Sequence, residues 1–61
     1  MTIYNYIIQV QRVDGTMITV REQEPRETPT TAIDIDYWEH YHLLEEGVIS
    51  ATVINIFTTE E

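Results

Sequence analysis

The strongest constraint on the fold is an alternation of apolar and polar residues close to the N-terminus. Apolar side chains stand at every second position, at Tyr4, Tyr6, Ile8 and Val10. Polar residues fill most of the positions between them, which is the period of two that a half-buried β-strand requires. We therefore expect a first strand over residues 3–12.

A hairpin is predicted to follow, because Asp-Gly at residues 14–15 is a turn signal and apolar residues alternate again over residues 16–23. The register follows from the two faces of the strands. A three-residue loop at 13–15, with Gly15 in the left-handed conformation, pairs Val10 with Ile18 and Ile8 with Val20. A two-residue loop would mix apolar and solvent-facing side chains, so we predict the longer loop.

Residues 24–31 contain two prolines and no apolar side chain, which indicates an internal loop of a single domain spanning residues 1–61. A helix is expected next, over residues 32–46. Its predicted core stripe recurs at spacings of four, four and three, and consists of Ile33, Tyr37, Tyr41 and Leu44. Capping boxes that start at Thr31 or at Asp36 are both compatible with the sequence, and Gly47 is the expected C-cap.

The third predicted strand is residues 48–57, which are rich in β-branched side chains, and residues 58–61 are expected to form a frayed acidic tail. Simple alternation puts Ile49, Ala51, Val53 and Phe57 on one face and Ser50, Thr52, Ile54 and Ile56 on the other. Connection rules place strand one between strands two and three. The predicted fold is α+β with the order β-β-α-β: a three-stranded antiparallel sheet, order 2-1-3, with one helix packed on one face.

Charge limits the partners that this chain can have. Eleven Asp and Glu oppose three Arg, for a net charge of −8, and residues 27–61 carry eight carboxylates without a cation. Such a surface repels a phosphate backbone, so we expect no direct binding to nucleic acid. The acidity either serves solubility or steers the chain to a host protein with a basic surface. No apolar stretch approaches the length of a membrane span and no secretory signal is recognisable, so a cytoplasmic protein without membrane contact is expected.

No combination of residues predicts catalysis, a cofactor or a metal. His40 and His42 are two apart and would point in opposite directions on a helix. Ser50 is the only serine and lacks the glycine-flanked turn of a nucleophile. The paired carboxylates stand among polar neighbours, where nothing would raise their pKa for acid catalysis. We expect a binding protein and not an enzyme.

Trp38 suggests a contact surface beside the predicted core stripe, because Ile35, Trp38 and His42 form a second helical stripe with carboxylates around it. The predicted partner-binding residues are Asp34, Ile35, Asp36, Trp38, Glu39, His42, Glu45 and Glu46. The sequence leaves open whether Trp38 contacts a partner or belongs to the core of this small domain, which needs its large side chains for packing.

The sheet face without a helix is a second candidate surface. It is predicted to carry Ile3, Ile7, Ile54 and Ile56, an apolar patch suited to self-association as a homodimer. The loop at 24–31 could cover this patch instead, or it could stay exposed.

The layout as a whole resembles small phage-encoded inhibitor proteins, such as anti-CRISPR proteins and inhibitors of host RNA polymerase. The resemblance rests on the hairpin of residues 6–20, the helix of residues 33–44 and the strand of residues 49–57. It implies an inhibitor that docks an acidic helix face into the basic groove of a nucleic-acid-processing host machine. The alternative function is a homo-oligomeric structural or assembly module that uses the isoleucine face.

Overall fold

A computed structural model describes residues 1–60 of the chain. Its elements are β1 (Thr2–Arg12), β2 (Met17–Arg26), α1 (Ala32–Leu43) and β3 (Val48–Glu60). The strands form one antiparallel sheet of order β2-β1-β3, and α1 packs on one of its faces. The predicted α+β fold, its element order and its strand order are confirmed.

The hairpin has the predicted register. Val10 pairs with Ile18 and Ile8 pairs with Val20. The loop is closed by the backbone N–H of Arg12, which donates to the carbonyl of Thr16 at 2.9 Å. Gly15 takes a φ of +90°, the left-handed conformation that the three-residue loop needs.

The core lies between the middle strand and the helix. Tyr6, Ile8 and Val10 of β1 are almost completely buried. The partly buried side chains packed around them come from every element: Tyr4, Val20, Trp38, Val48, Ala51, Val53 and Ile56. Because β1 has a neighbour on each side and α1 above it, its alternation predicted the core well.

β2 runs further than its sequence pattern predicted, so the connecting loop is shorter than residues 24–31. Pro25 pairs with Ile3 at the edge of the sheet, where a missing N–H costs no ladder hydrogen bond. The loop ends on the helix side, because the Thr30 hydroxyl lies 2.8 Å from the hydroxyl of the core residue Tyr6. The alternative in which this loop covers the opposite sheet face is therefore wrong.

The helix begins at the earlier of its two predicted starts. The Asp34 carboxylate accepts the backbone N–H of Thr31 at 2.9 Å, as a capping box requires. The helix ends at Leu43 and not at residue 46. Gly47 has the expected left-handed φ of +82°, but it lies in the turn that leads into β3, where the Val48 N–H donates to the Glu45 carbonyl.

β3 also continues beyond its predicted end. Thr2 pairs with Glu60, and their side chains form a 2.9 Å hydrogen bond, so the predicted frayed tail is strand as far as residue 60. Residue 61 lies outside the described part of the chain. A bulge leaves Ile54 without a partner in the β1–β3 pairing and reverses the faces that follow it.

The reversal corrects two sequence-based assignments. Ile56 lies opposite Tyr6 and packs against the core, not on the uncovered face. Phe57 lies opposite Asn5 and belongs to the uncovered face, not to the core side. A one-residue slip exchanges every side chain between the faces of a strand, and a bulge has the same effect.

Candidate protein-binding surface

Helix α1 is rotated relative to the orientation that the sequence predicted. Trp38 packs its ring on the core residue Tyr6, with ring centroids 6.0 Å apart, and His42 is only 5% exposed. The predicted core stripe faces away from the sheet. Its exposed fractions are 80% for Ile33, 58% for Tyr37, 49% for Tyr41 and 73% for Leu44. We call these four residues the outer strip.

His42 holds the helix in this orientation. Its Nε2 lies 3.2 Å from a carboxylate oxygen of Glu22 on β2, and its Nδ1 lies 3.1 Å from one of Glu45 after the helix. In either neutral tautomer the ring N–H has a carboxylate oxygen to donate to, and a buried donor with an acceptor costs far less to bury than an unpartnered one. The helix therefore buries the Trp38 side and leaves the outer strip in solvent.

Besides Glu45, which contacts His42, two further predicted docking carboxylates serve the fold. The Glu39 carboxylate accepts the Val53 N–H at 2.8 Å, which satisfies a backbone donor at the edge of β3. Asp34 forms a 2.6 Å ion pair with Arg26 besides its helix cap. The hydrogen bond from Arg26, followed by those from Thr31, lowers the pKa of Asp34, and the same ion pair together with Glu24 raises the pKa of Arg26.

The predicted partner-binding set is thus divided by the fold. Trp38 packs on the core, His42 is buried and Ile35 is half-buried, whereas Asp34, Glu39 and Glu45 make internal contacts. Asp36 and Glu46 remain exposed beside the outer strip. Asp36 and Glu46 therefore supply exposed negative charge beside the helix. Trp38, the expected anchor, packs in the core instead.

The outer strip includes aromatic side chains held by one another. Tyr37 meets Trp38 edge to face with centroids 5.2 Å apart, and Tyr41 meets Trp38 in the same way at 5.7 Å. The rings of Tyr37 and Tyr41 stack at 6.3 Å. Such contacts restrict the rotamers of both tyrosines before any partner arrives, so little side-chain entropy remains to be lost on binding.

An open groove of about 550 Å³ runs beside the strip, between α1 and the edge of β3. It is lined by Ile33, Asp36, Tyr37, Glu39, His40, Leu43 and Ala51. Apolar side chains form much of this lining, and Asp36 adds a charge. The strip and the groove together give one side of the molecule a mixed aromatic and aliphatic surface with an acidic margin.

The uncovered sheet face differs from the predicted isoleucine patch. Of the four predicted residues, Ile3 and Ile7 lie on this face, Ile54 is an exposed bulge residue, and Ile56 lies on the core side. Asn5 is buried at the centre of the face, where its Oδ1 accepts the Gln23 side chain at 2.8 Å and its Nδ2 donates to the Phe57 carbonyl at 3.3 Å. Self-association through this face stays a prediction.

Residues 1–60 contain no group of three or more His, Cys, Asp or Glu side chains that could hold a metal ion. Within the same residues, α1 is neither long nor apolar enough to cross a membrane. His40 is exposed on the helix surface, on the side away from His42.

Comparison with known proteins gives no relative: no protein-family model matches the chain, and no curated protein or solved structure is similar to it.

The sequence pattern identified the outer strip but assigned it to the core. Both stripes of α1 contain large side chains, so helical spacing alone could not decide which one faces the sheet. The useful signal was size: a three-stranded sheet in a small domain needs its largest side chain, Trp38, for the core. Once Trp38 is placed there, Ile33, Tyr37 and Leu44 must face outward.

Proposed function

We propose that this chain is a protein-binding module, without a catalytic role, that inserts the outer strip of α1 into an apolar groove bordered by basic residues on a partner. The observation that carries the proposal is the exposure of four large side chains on one side of α1 and its C-cap residue: Ile33, Tyr37, Tyr41 and Leu44. Helix-in-groove recognition uses anchors at this helical spacing.

The strip has the properties of a binding surface and not of incidental exposure. Single exposed apolar residues are common, but a contiguous set on one helix is costly in water and marks an interaction site. Tyrosine is enriched among residues that dominate binding energy. Tyr37 and Tyr41 are also pre-organised by Trp38, which reduces the entropy lost in the complex.

Charge selects the kind of partner. The helix and the turn after it, residues 31–46, contain five carboxylates and neither Lys nor Arg. A second copy of the chain, with its own charge of −8, would be repelled from this surface. A groove lined by Arg and Lys would be attracted to it, with Asp36 and Glu46 closest to the rim.

Grooves of this kind are what proteins use to hold nucleic acid. We therefore propose that the partner is a nucleic-acid-processing host protein, and that the chain inhibits it by competing for the basic groove. This is the mode of action implied by the resemblance to phage-encoded inhibitors, and it would operate in the cytoplasm of the host cell.

The test compares three immobilised proteins: the wild type, a double variant with Tyr37→Ser and Leu44→Ser, and a control with Val13→Ser. Val13 is 72% exposed in the hairpin loop and is not part of the outer strip, so its substitution shows the effect of removing an exposed apolar side chain elsewhere on the surface. Each protein is presented to a bacterial lysate, and retained proteins are identified by mass spectrometry. A retained protein is then purified, and its affinity is measured by fluorescence anisotropy at low and moderate salt, with labelled nucleic acid as competitor.

We expect a nucleic-acid-binding protein to be retained by the wild type and the control and lost from the double variant. Its affinity should weaken as salt rises, because exposed charges are screened. Equal retention by all three proteins would contradict the role of the outer strip. An affinity that does not change with salt would contradict the proposed partner. So would a failure of the chain to displace the labelled nucleic acid from the retained protein.

A further inference from the structure

The outer edge of β3 presents backbone groups that the sheet does not use. The N–H of Val53 points away from β1, because it donates to Glu39 on the helix. Val53 pairs with Ile8, and outward and inward backbone groups alternate along an antiparallel strand. Beyond the bulge, Ile56 pairs with Tyr6 and Thr58 pairs with Tyr4. Because Tyr6 and Tyr4 lie two and four residues before Ile8, the N–H and C=O groups of Ile56 and Thr58 also point outward. Within residues 1–60, the outward Val53 N–H is bonded to Glu39, and the outward backbone groups of Ile56 and Thr58 have no hydrogen-bond partner.

The two edges of the sheet are protected very differently. On β2, residues 21–26 include four charged side chains and Pro25, which are features that prevent another strand from pairing. On β3, residues 48–59 contain no charge and no proline. Glu39 covers the edge near Val53, but the strand continues for several residues beyond that point.

We propose that this edge binds a second copy of the chain, with β3 pairing antiparallel to β3 so that Phe57 of one copy lies opposite Phe57 of the other. Ile56 of each copy would then face Thr58 of the other copy. These residues exchange about four backbone hydrogen bonds in total, two for each facing pair. The product is a continuous six-stranded sheet.

Charge favours a second copy at this edge. Most of a molecule with a charge of −8 repels its own kind, whereas residues 48–59 are neutral and β-branched or aromatic in large part. With Phe57 at the centre, the two Glu60 residues stand about 20 Å apart, at about 3.3 Å per residue. Each Glu60 lies opposite Ile54 of the other copy, next to the Glu39 carboxylate on the Val53 N–H, so the pairing is confined to the neutral segment of residues 56–58. The facing phenylalanines add an aromatic cross-strand pair.

The geometry keeps the helices apart. A two-fold axis through Phe57, perpendicular to the sheet, leaves both helices on the same face and at opposite ends of the dimer. Each copy of α1 lies near Val53 of its own strand, several residues from the axis.

Pairing through the edge does not use the outer strip, so this inference is independent of the proposed function. The dimer would display two outer strips and bind a repeated partner more tightly than one copy does.

Sedimentation equilibrium and light scattering test the pairing. We expect the wild type to have twice the mass of the 7.2 kDa chain. Thr58→Pro removes an outward N–H without removing a hydrogen bond to β1, so it should yield a monomer that keeps its circular dichroism spectrum. Thr19→Pro is the matched control, because Thr19 occupies an outward position on β2. This control should remain a dimer.

A charge exchange at the two-fold axis fixes the register. Phe57→Lys alone and Phe57→Glu alone each set two like charges opposite one another and should be monomeric, whereas an equimolar mixture should recover the dimer. Recovery shows that neither variant is misfolded. The proposal is overturned if the wild type is a monomer, if Thr58→Pro leaves the dimer intact, or if the mixture stays monomeric. A wild-type monomer that still binds through the outer strip would leave the proposed function standing.

Discussion

The Glu39 carboxylate accepts the backbone N–H of Val53 at 2.8 Å, which joins the middle of α1 to the edge of β3. Replacing Glu39 with Ala leaves that donor unpaired, because no other side chain of residues 1–60 is recorded as its acceptor. We expect the free energy of unfolding to fall by about 1.5–3 kcal/mol, the usual range for a hydrogen bond to a charged group. Urea denaturation followed by circular dichroism measures the change.

Two further variants make this prediction specific. Glu39→Gln keeps an acceptor oxygen and should lose less stability than Glu39→Ala. Glu46→Ala removes an exposed carboxylate and should change stability by less than about 0.5 kcal/mol. If Glu39→Ala and Glu46→Ala cost the same, the helix is not held to β3 by this contact.

The Arg26–Asp34 ion pair predicts how stability changes in acid. Its hydrogen bond lowers the pKa of Asp34 below the ordinary value of 3.8, so folding is favoured while the carboxylate is charged. The contribution is fully present above the unfolded-state pKa and is lost as the pH falls through the lower, folded-state pKa. Urea midpoints measured from neutral pH into this acidic range should therefore fall for the wild type.

Asp34→Asn is the informative variant, because the amide keeps part of the helix cap but not the charge. It should be less stable than the wild type at neutral pH, and its stability should change less through the acidic range. Asp36→Asn alters an exposed neighbour and should follow the wild-type curve. Parallel curves for the wild type and Asp34→Asn would show that this pair does not contribute.

The sheet could be predicted from the sequence because its determinants are local. The alternation that ends at Val10 defines the buried face of β1, and the Asp-Gly pair with Gly15 sets the loop length and register. The bulge at Ile54 could not be predicted. It follows from how β3 fits beside β1, and it exchanged the expected faces of Ile56 and Phe57.

The location of the helix was predictable from local signals, but helical spacing alone did not give its rotation. Local signals at Thr31 fixed its start. Its orientation depends on contacts between residues distant in sequence, above all His42 with Glu22 and Trp38 with Tyr6. The candidate site changed with that rotation, because the exposed residues became those that spacing alone had assigned to the core.

The contact between His42 and Glu22 should appear as an energetic coupling across 20 residues of sequence. A double-mutant cycle with Glu22→Gln and His42→Asn measures it through urea denaturation. We expect a coupling of about 0.5–3 kcal/mol, because both groups share one partly buried contact. The same cycle between Glu45 and His42 should give a smaller value, since the Glu45 side chain is 52% exposed and solvent screens its charge. Additive effects in the first cycle would mean that His42 does not lock the helix to β2.

Trp38 decides which side of α1 faces the sheet. Trp38→Ala should remove about 3–5 kcal/mol of stability, which is enough to unfold a domain of this size, because it empties the space above Tyr6. Trp38→Phe keeps a ring there and removes the indole N–H, which is buried without a recorded partner in residues 1–60, so it should cost less than about 1.5 kcal/mol. Tyr37→Ala acts on the exposed side and should cost about 0.5–1 kcal/mol, mainly through lost ring contacts. Thermal unfolding followed by circular dichroism ranks the three variants. If Tyr37→Ala were as damaging as Trp38→Ala, the outer strip would be the packed side of the helix, and the proposed binding surface would have to move to the Trp38 side.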